Sequence, residues 1–158
     1  MAGICRSYVA VVGAGVCDDT LGQLAEEVGR ELALRGAVLI CGGMGGVMEA
    51  ACRGAKAAGG TTVGLLPGTN REEANPFVDV AIATGLGEIR NTLIVRSVDA
   101  LIAVGGEWGT LSEIAFALKT GKRVVGLKSW TLAKEGVEVP GIVHVSTARE
   151  AVERVLSP

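Results

Sequence analysis

The sequence predicts a parallel α/β fold, a sheet of about seven strands with helices on both faces. Three observations predict it. Short β-branched apolar runs alternate with longer amphipathic runs along the whole chain, the pattern of strand–helix–strand crossovers. Clusters of glycine close several of the apolar runs, at Gly13-Ala14-Gly15, Gly42-Gly43-Met44-Gly45-Gly46 and Gly105-Gly106. The composition is 49% hydrophobic with 24 glycines and only 3% aromatic, which suits helices pressed onto a sheet through small residues. At 158 residues, 1–158 form a single Rossmann-like domain with no room for a second core.

Taken in order, Tyr8 to Val12 is the first strand and ends at Gly13-Ala14-Gly15. Asp18, Asp19 or Thr20 caps a helix that runs to about Leu34, with Leu21, Leu24, Ala25, Val28 and Leu32 on its apolar face. Gly36 ends it, and Val38 to Cys41 is the second strand. A helix from about Val47 to Ala58 follows the glycine cluster and stops at Gly59-Gly60. Thr62 to Leu66 is the third strand. Pro67 to Asp79 reads as a long loop of the kind used as a lid or binding loop. Val80 to Thr84 is a strand, Glu88 to Ser97 a helix, and Ala100 to Val104 a buried strand. The turn after it leads into a helix, Leu111 to Lys119, stopped by Gly121. Arg123 to Leu127 is a strand, Lys128 to Pro140 irregular, Ile142 to Val145 a last strand, and Thr147-x-x-Glu150 caps a closing helix.

In a parallel sheet, ligands bind beyond the carboxyl ends of the strands, and the three glycine clusters that close strands fall on that edge. The turn Gly105-Gly106-Glu107-Trp108-Gly109-Thr110 is the most pointed of them. Glycine lets backbone N–H groups approach a ligand without a Cβ in the way, and the helix that follows adds unpaired donors and a partial positive charge suited to phosphate. Thr110-x-x-Glu113 reads in two ways, as a capping box or as a hydroxyl and a carboxyl of a site. Arg90, at the start of its helix on the same edge, is a permanent cation able to clamp a phosphate or stabilise charge.

Other chemistries are excluded or weakened by what the chain lacks. There is no G-x-x-x-x-G-K-[ST], and the first glycine turn does not complete G-x-G-x-x-G, nor does an acid follow the second strand. The single histidine, His144, lies in an apolar strand, so a Ser-His-Asp triad has no base. No lysine sits in a glycine turn to form a Schiff base with pyridoxal phosphate. Cys5, Cys17, Cys41 and Cys52 form no C-x-x-C pair and read as reduced core residues of a cytoplasmic protein, with no metal site among them. The net charge of −2 argues against a nucleic-acid partner, and no apolar run is long enough to cross a membrane. A carboxyl beside a phosphate-bound sugar suits cleavage of an N-glycosidic bond, by analogy with glycoside hydrolysis.

These residues carry a family resemblance. The chain from Tyr8 to Val145 resembles the Lonely Guy family of cytokinin-nucleotide phosphoribohydrolases, formerly labelled lysine decarboxylases, and within that superfamily the branch containing the molybdenum-cofactor carrier protein. The family's P-G-G-x-G-T-x-x-E lies on Gly105 to Glu113, with Gly105 in place of the proline and Glu107 in place of the second glycine. Its catalytic glutamate falls on Glu113 and its catalytic arginine on Arg90, flanked here by Ile89 and Asn91. Arg96 and Asp99 match as well, and Gly42-Gly43 with Gly46-Val47-Met48 resembles the second phosphate-side turn.

The resemblance implies a small phosphorylated, nucleotide-like ligand and a homodimer or homotetramer. The expected catalytic pair is Arg90 and Glu113. Gly13, Ala14, Gly42, Gly43, Gly46, Met48, Gly105, Gly106, Gly109 and Thr110 are expected to hold the phosphate or ligand, with Arg96, Glu107 and Asn91 in support. Two functions are expected from this site. One is hydrolysis of the N-ribosidic bond of a nucleoside 5′-monophosphate, with no cofactor required. The other is carriage of a bound molybdopterin-type cofactor or another nucleotide without turnover. Lysine decarboxylation is not expected.

Overall fold

The computed structural model describes residues 6–158. Cys5 lies outside them. Seven parallel strands form one sheet in the order β4-β3-β2-β1-β5-β6-β9. They are β1 (Tyr8–Gly13), β2 (Val38–Cys41), β3 (Thr61–Leu66), β4 (Val80–Ala83), β5 (Ala100–Val104), β6 (Arg123–Leu127) and β9 (Ile142–Val145). The helices are α1 (Asp19–Leu34), α2 (Val47–Ala57), α3 (Arg90–Arg96), α4 (Trp108–Lys119) and α5 (Ala148–Leu156). Helices α1, α2 and α5 cover one face through Val28, Leu32, Ala51, Cys52 and Val152, all fully buried. Helices α3 and α4 cover the other through Ile94, Val95, Ile114 and Ala117. This is the two-faced Rossmann-like α/β arrangement the alternating pattern predicts.

Local chemistry accounts for the boundaries. Asp18 caps α1 by accepting the Leu21 N–H at 2.8 Å, and Gly36 leaves the helix with φ +72°. Helices α1 and α2 cross closely because Gly29 and Gly54 each lie where a Cβ would run into the other helix's backbone, at Ala51 and Glu26. His144 is on the exposed face of the edge strand β9.

Three sequence expectations change. The helix expected from Glu88 begins as a 3-10 turn, Gly87–Ile89, and becomes α-helical only at Arg90. Helix α4 begins at Trp108, three residues before Leu111, so its N-cap is Glu107. The stretch expected to be irregular contains a hairpin of β7 (Ala133–Lys134) and β8 (Val137–Glu138), turned by Glu135 and Gly136, both with positive φ as tight hairpins require. The loop from Pro67 to Asp79 is partly fastened down. Asn75 is buried, donates to Met44 O at 2.8 Å and accepts the Phe77 N–H, and Asp79 pairs with Lys56 at 2.6 Å.

Candidate functional site

The strand order reverses direction between β1 and β5. A crevice opens there beyond their carboxyl ends, as open α/β sheets dictate. It is a cleft of about 190 Å³ on the α3–α4 side. Gly13 and Val12 of β1, Gly42 after β2, Met48 of α2, Arg90 and Asn91 of α3, Glu88 before it, and Gly109, Thr110 and Glu113 of α4 line it. Residues from four separate stretches of chain therefore meet at one point.

Arg90 reaches in from the first residue of α3. Its Nη1 donates to Gly42 O at 2.6 Å and also to Leu65 O, so the guanidinium is braced by two strand ends. A Cβ at Gly42 would collide with that guanidinium and with Met48 Sδ at 2.7 Å, so glycine is what leaves the arginine its channel. Arg90 Nε is buried with no hydrogen-bond partner among the described residues. Buried donors are nearly always paired, which makes this one a candidate donor to a bound group.

Glu113 lies one turn and a half into α4, 7% exposed at the cleft. The capping-box alternative fails on position: with Glu107 as N-cap, Thr110 is already the third helical residue and Glu113 the sixth. Burial pushes the Glu113 carboxyl up to about 8, Arg90 pulls against that shift, and Cys41 adds to it. At neutral pH the acid form therefore predominates. Burial in turn lowers the Arg90 guanidinium, opposed by the charge of Glu113. Among the described residues no ion pair within 4 Å joins the two.

The N-terminus of α4 borders the same cleft through Gly109 and Thr110. Glu107 contributes no side-chain bond to the cap, so the first N–H groups of the helix remain available to an anion. Gly105 and Gly106 form the turn with φ +58° and +118°, and a Cβ at Gly106 would sit 2.5 Å from Thr110 Cγ2. Thr110 is 3% exposed.

Not every expected residue faces this cleft. Ala14 O accepts the Val47 N–H at 3.0 Å, while Gly43 N–H donates to Cys41 Sγ and Gly43 O accepts from Asn75. Both shape the turns and line no part of the cleft. Gly46 starts α2 with φ +61° on the other side of the turn. Arg96 stacks on Phe116, 5.5 Å from the ring centroid, away from the cleft. Glu107 is exposed and borders a neighbouring cleft with Gly105 and Gly106, so its carboxylate is outside the one that holds Glu113. Glu88 and Val12 were missed. Glu88 carries the signal that could have found it, an acid two residues before the arginine, and its charge acts on Arg90. Cys41 and Cys52 are buried free thiols with their Sγ atoms 3.5 Å apart, behind the Gly42 turn. Among the described residues no helix is long and apolar enough to cross a membrane.

The chain is similar to several known proteins. An uncharacterized protein of Archaeoglobus fulgidus is 48% identical over 149 residues, 94% of each chain. The cytokinin riboside 5′-monophosphate phosphoribohydrolase of Mycobacterium tuberculosis is 39% identical over 99 residues, 58% of this chain and 51% of that one, so the match spans about half the length of that relative. Among solved structures, the molybdenum cofactor binding protein of Rippkaea orientalis superposes with a TM-score of 0.87 at 36% identity, covering 96% of both chains. The profile of the SLOG cluster4 family matches residues 6–152, and the chain belongs to that family, within the Lonely Guy-like superfamily.

Proposed function

We propose that the cleft binds a nucleoside 5′-monophosphate and hydrolyses its N-ribosidic bond. The observation that carries this reading is the buried Glu113 carboxyl, held as an acid at neutral pH beside a cation and a helix N-terminus. The phosphate rests on the free N–H groups of α4 and on Arg90, whose unpaired Nε supplies a donor. The C1′–N bond breaks with its electron pair leaving on the base, and Glu113 delivers the proton that neutralises it. The resulting carboxylate then stabilises the ribosyl cation and takes a proton from the water that attacks C1′. This regenerates the acid and yields ribose 5-phosphate and free base. Arg90 remains charged throughout and positions the ligand. The relative from Mycobacterium tuberculosis supports the assignment by its activity. Base release from a panel of nucleoside monophosphates tests it.

A second reading has its own support. The molybdenum cofactor binding protein matches 96% of this chain, more than the hydrolase does. In that reading Arg90 and the α4 N-terminus hold the phosphate of a pterin-type cofactor and nothing is turned over. Native mass spectrometry of freshly purified protein distinguishes the two by the mass it retains.

We further propose self-association through the α3 face. Val80 and Ile82 of the edge strand pair with Val63 and Leu65, which pack beneath α3, yet they are 48% and 45% exposed, since among the described residues no α-helix packs closely on β4. Ile89 and Leu93 of the neighbouring segment are 72% and 38% exposed. A contiguous apolar patch rimmed by polar residues marks an interaction surface.

A further inference from the structure

We propose that the cleft on the other side of the α4 N-terminus, lined by Trp130 and Lys128 with Trp108 packed on Trp130 beside it, is an outer subsite for a flat aromatic ring joined through phosphate to the group in the Arg90–Glu113 cleft. This rests on the reading of the inner cleft as a nucleotide-phosphate site. The outer cleft has a volume of about 510 Å³ and is bordered by Gly105, Gly106 and Glu107, while the inner one is lined by Gly109 and Thr110, so the start of α4 stands between the two. Trp108 is the first residue of α4 and is 74% exposed. Its ring leans on Trp130, with centroids 5.4 Å apart and planes at 37°. Trp130 is anchored by packing on the α4-side core and holds Trp108, which stays largely exposed beside the cleft. An exposed indole held in place at the mouth of a phosphate site suits stacking by a heterocycle.

Two further groups give the subsite a polar edge. The Trp130 indole N–H is buried without an acceptor among the described residues. Lys128 has φ +49°, and of the two non-glycine residues with positive φ among the described residues it is the one outside the hairpin turn. This backbone lets Ser129 Oγ donate to Gly105 O at 2.6 Å, which ties the Lys128 turn to the glycine turn. Lys128 and Glu107 thus border one cleft, residues able to donate to and accept from the hydrogen-bonding edge of a base.

The helix sets the ligand's shape. Trp108 and Glu113 are five residues apart, about 140° around the axis, so the two subsites lie on different sides of the α4 end. A ligand that fills both must bend at the helix N-terminus, where its phosphates would meet the free N–H groups. A dinucleotide linked by a pyrophosphate has that form, with one nucleoside in each cleft.

Titration by calorimetry and tryptophan fluorescence with AMP, ADP and di(adenosine-5′) pyrophosphate tests this. The dinucleotide is expected to bind at least about ten-fold more tightly than AMP or ADP and to quench tryptophan emission, on the scale of one stacked base. In Trp108→Ala the ratio of dinucleotide to AMP affinity is expected to fall to near one. If AMP binds and the dinucleotide binds no better, the outer subsite is refuted while the inner one stands. If neither binds, both readings fall. If Trp108→Ala changes the association state in light scattering and leaves the affinity ratio intact, Trp108 is an interface residue and the proposal is overturned.

Discussion

Arg90 and Glu113 line the same cleft without pairing: the arginine donates Nη1 to the carbonyl oxygens of Gly42 and Leu65, while the glutamate stays buried as an acid. An ion pair would have neutralised both. Keeping them apart leaves a cation braced by backbone and a proton available for transfer, each at the cost of burial. A ligand phosphate would satisfy the cation and hold Glu113 in its acid form more firmly, since a second negative charge nearby disfavours the carboxylate.

The titration of Glu113 makes stability depend on pH. Its folded value, about 8, is above the ordinary 4.5, so between these values the folded chain binds more protons than the unfolded one. Stability contributed by this group is therefore present at low pH and lost as pH rises through that window. Glu113→Gln removes the titration. The Tm difference between variant and wild type is expected to rise from about pH 5 to about pH 8 and level off above, by several degrees for a domain of this size. Parallel Tm curves for the two proteins would show that Glu113 titrates normally.

Gly42 is expected to act through Arg90. In Gly42→Ala the new methyl occupies the space of the guanidinium and Met48 Sδ, so Arg90 must leave its two carbonyl acceptors. Ligand affinity should fall at least ten-fold, as in Arg90→Ala, and the double variant Gly42→Ala/Arg90→Ala should bind no worse than either single one, because both remove one unit. Additive losses measured by calorimetry would place the effect of Gly42 elsewhere.

The alternation of apolar runs and the position of the glycine turns were enough to read the sheet, its helices and the edge where the candidate cleft opens. Period and punctuation are local properties, and they reported local structure well. What they could not report was where α4 starts. Thr110 and Glu113 have the spacing of a capping box, and only the tertiary position of Glu107 shows that the helix begins earlier and that Glu113 is free for other use. Arg96 matched the family pattern, yet its side chain stacks on Phe116, because α3 turns that position away from the cleft. The strain at Lys128 has no sequence signature at all, since any residue but glycine hides a positive φ.

The bare edge of the α3 face should govern association. Ile82→Lys places a charge on the edge strand opposite Leu65, and Ile89→Glu places one on the exposed segment before α3. Either change is expected to lower the molar mass in light scattering at micromolar concentration while leaving the circular dichroism spectrum unchanged, since both side chains are already exposed in the single chain. A wild-type protein that scatters as a monomer would refute the interface outright.

Glu113→Gln also separates catalysis from carriage. Glutamine keeps the size of the side chain and cannot give up a proton to a leaving base or stabilise a cation by charge. If the cleft is hydrolytic, the variant should fold, bind nucleoside monophosphates as well as wild type does, and release base roughly a hundred-fold more slowly or worse, the scale of lost acid–base and electrostatic assistance. The wild-type rate should also fall as pH rises past about 8, because the acid form of Glu113 is consumed there, and that descending limb should be missing from the residual activity of the variant. Arg90→Ala should lose both affinity and rate, since a clamp acts on ground and transition states alike. If wild-type protein binds nucleotide or pterin tightly and releases no base from any nucleoside monophosphate, the site is a carrier's. Glu113 then serves as a neutral hydrogen-bonding wall, and its replacement by glutamine should leave the affinity nearly unchanged at every pH below about 8.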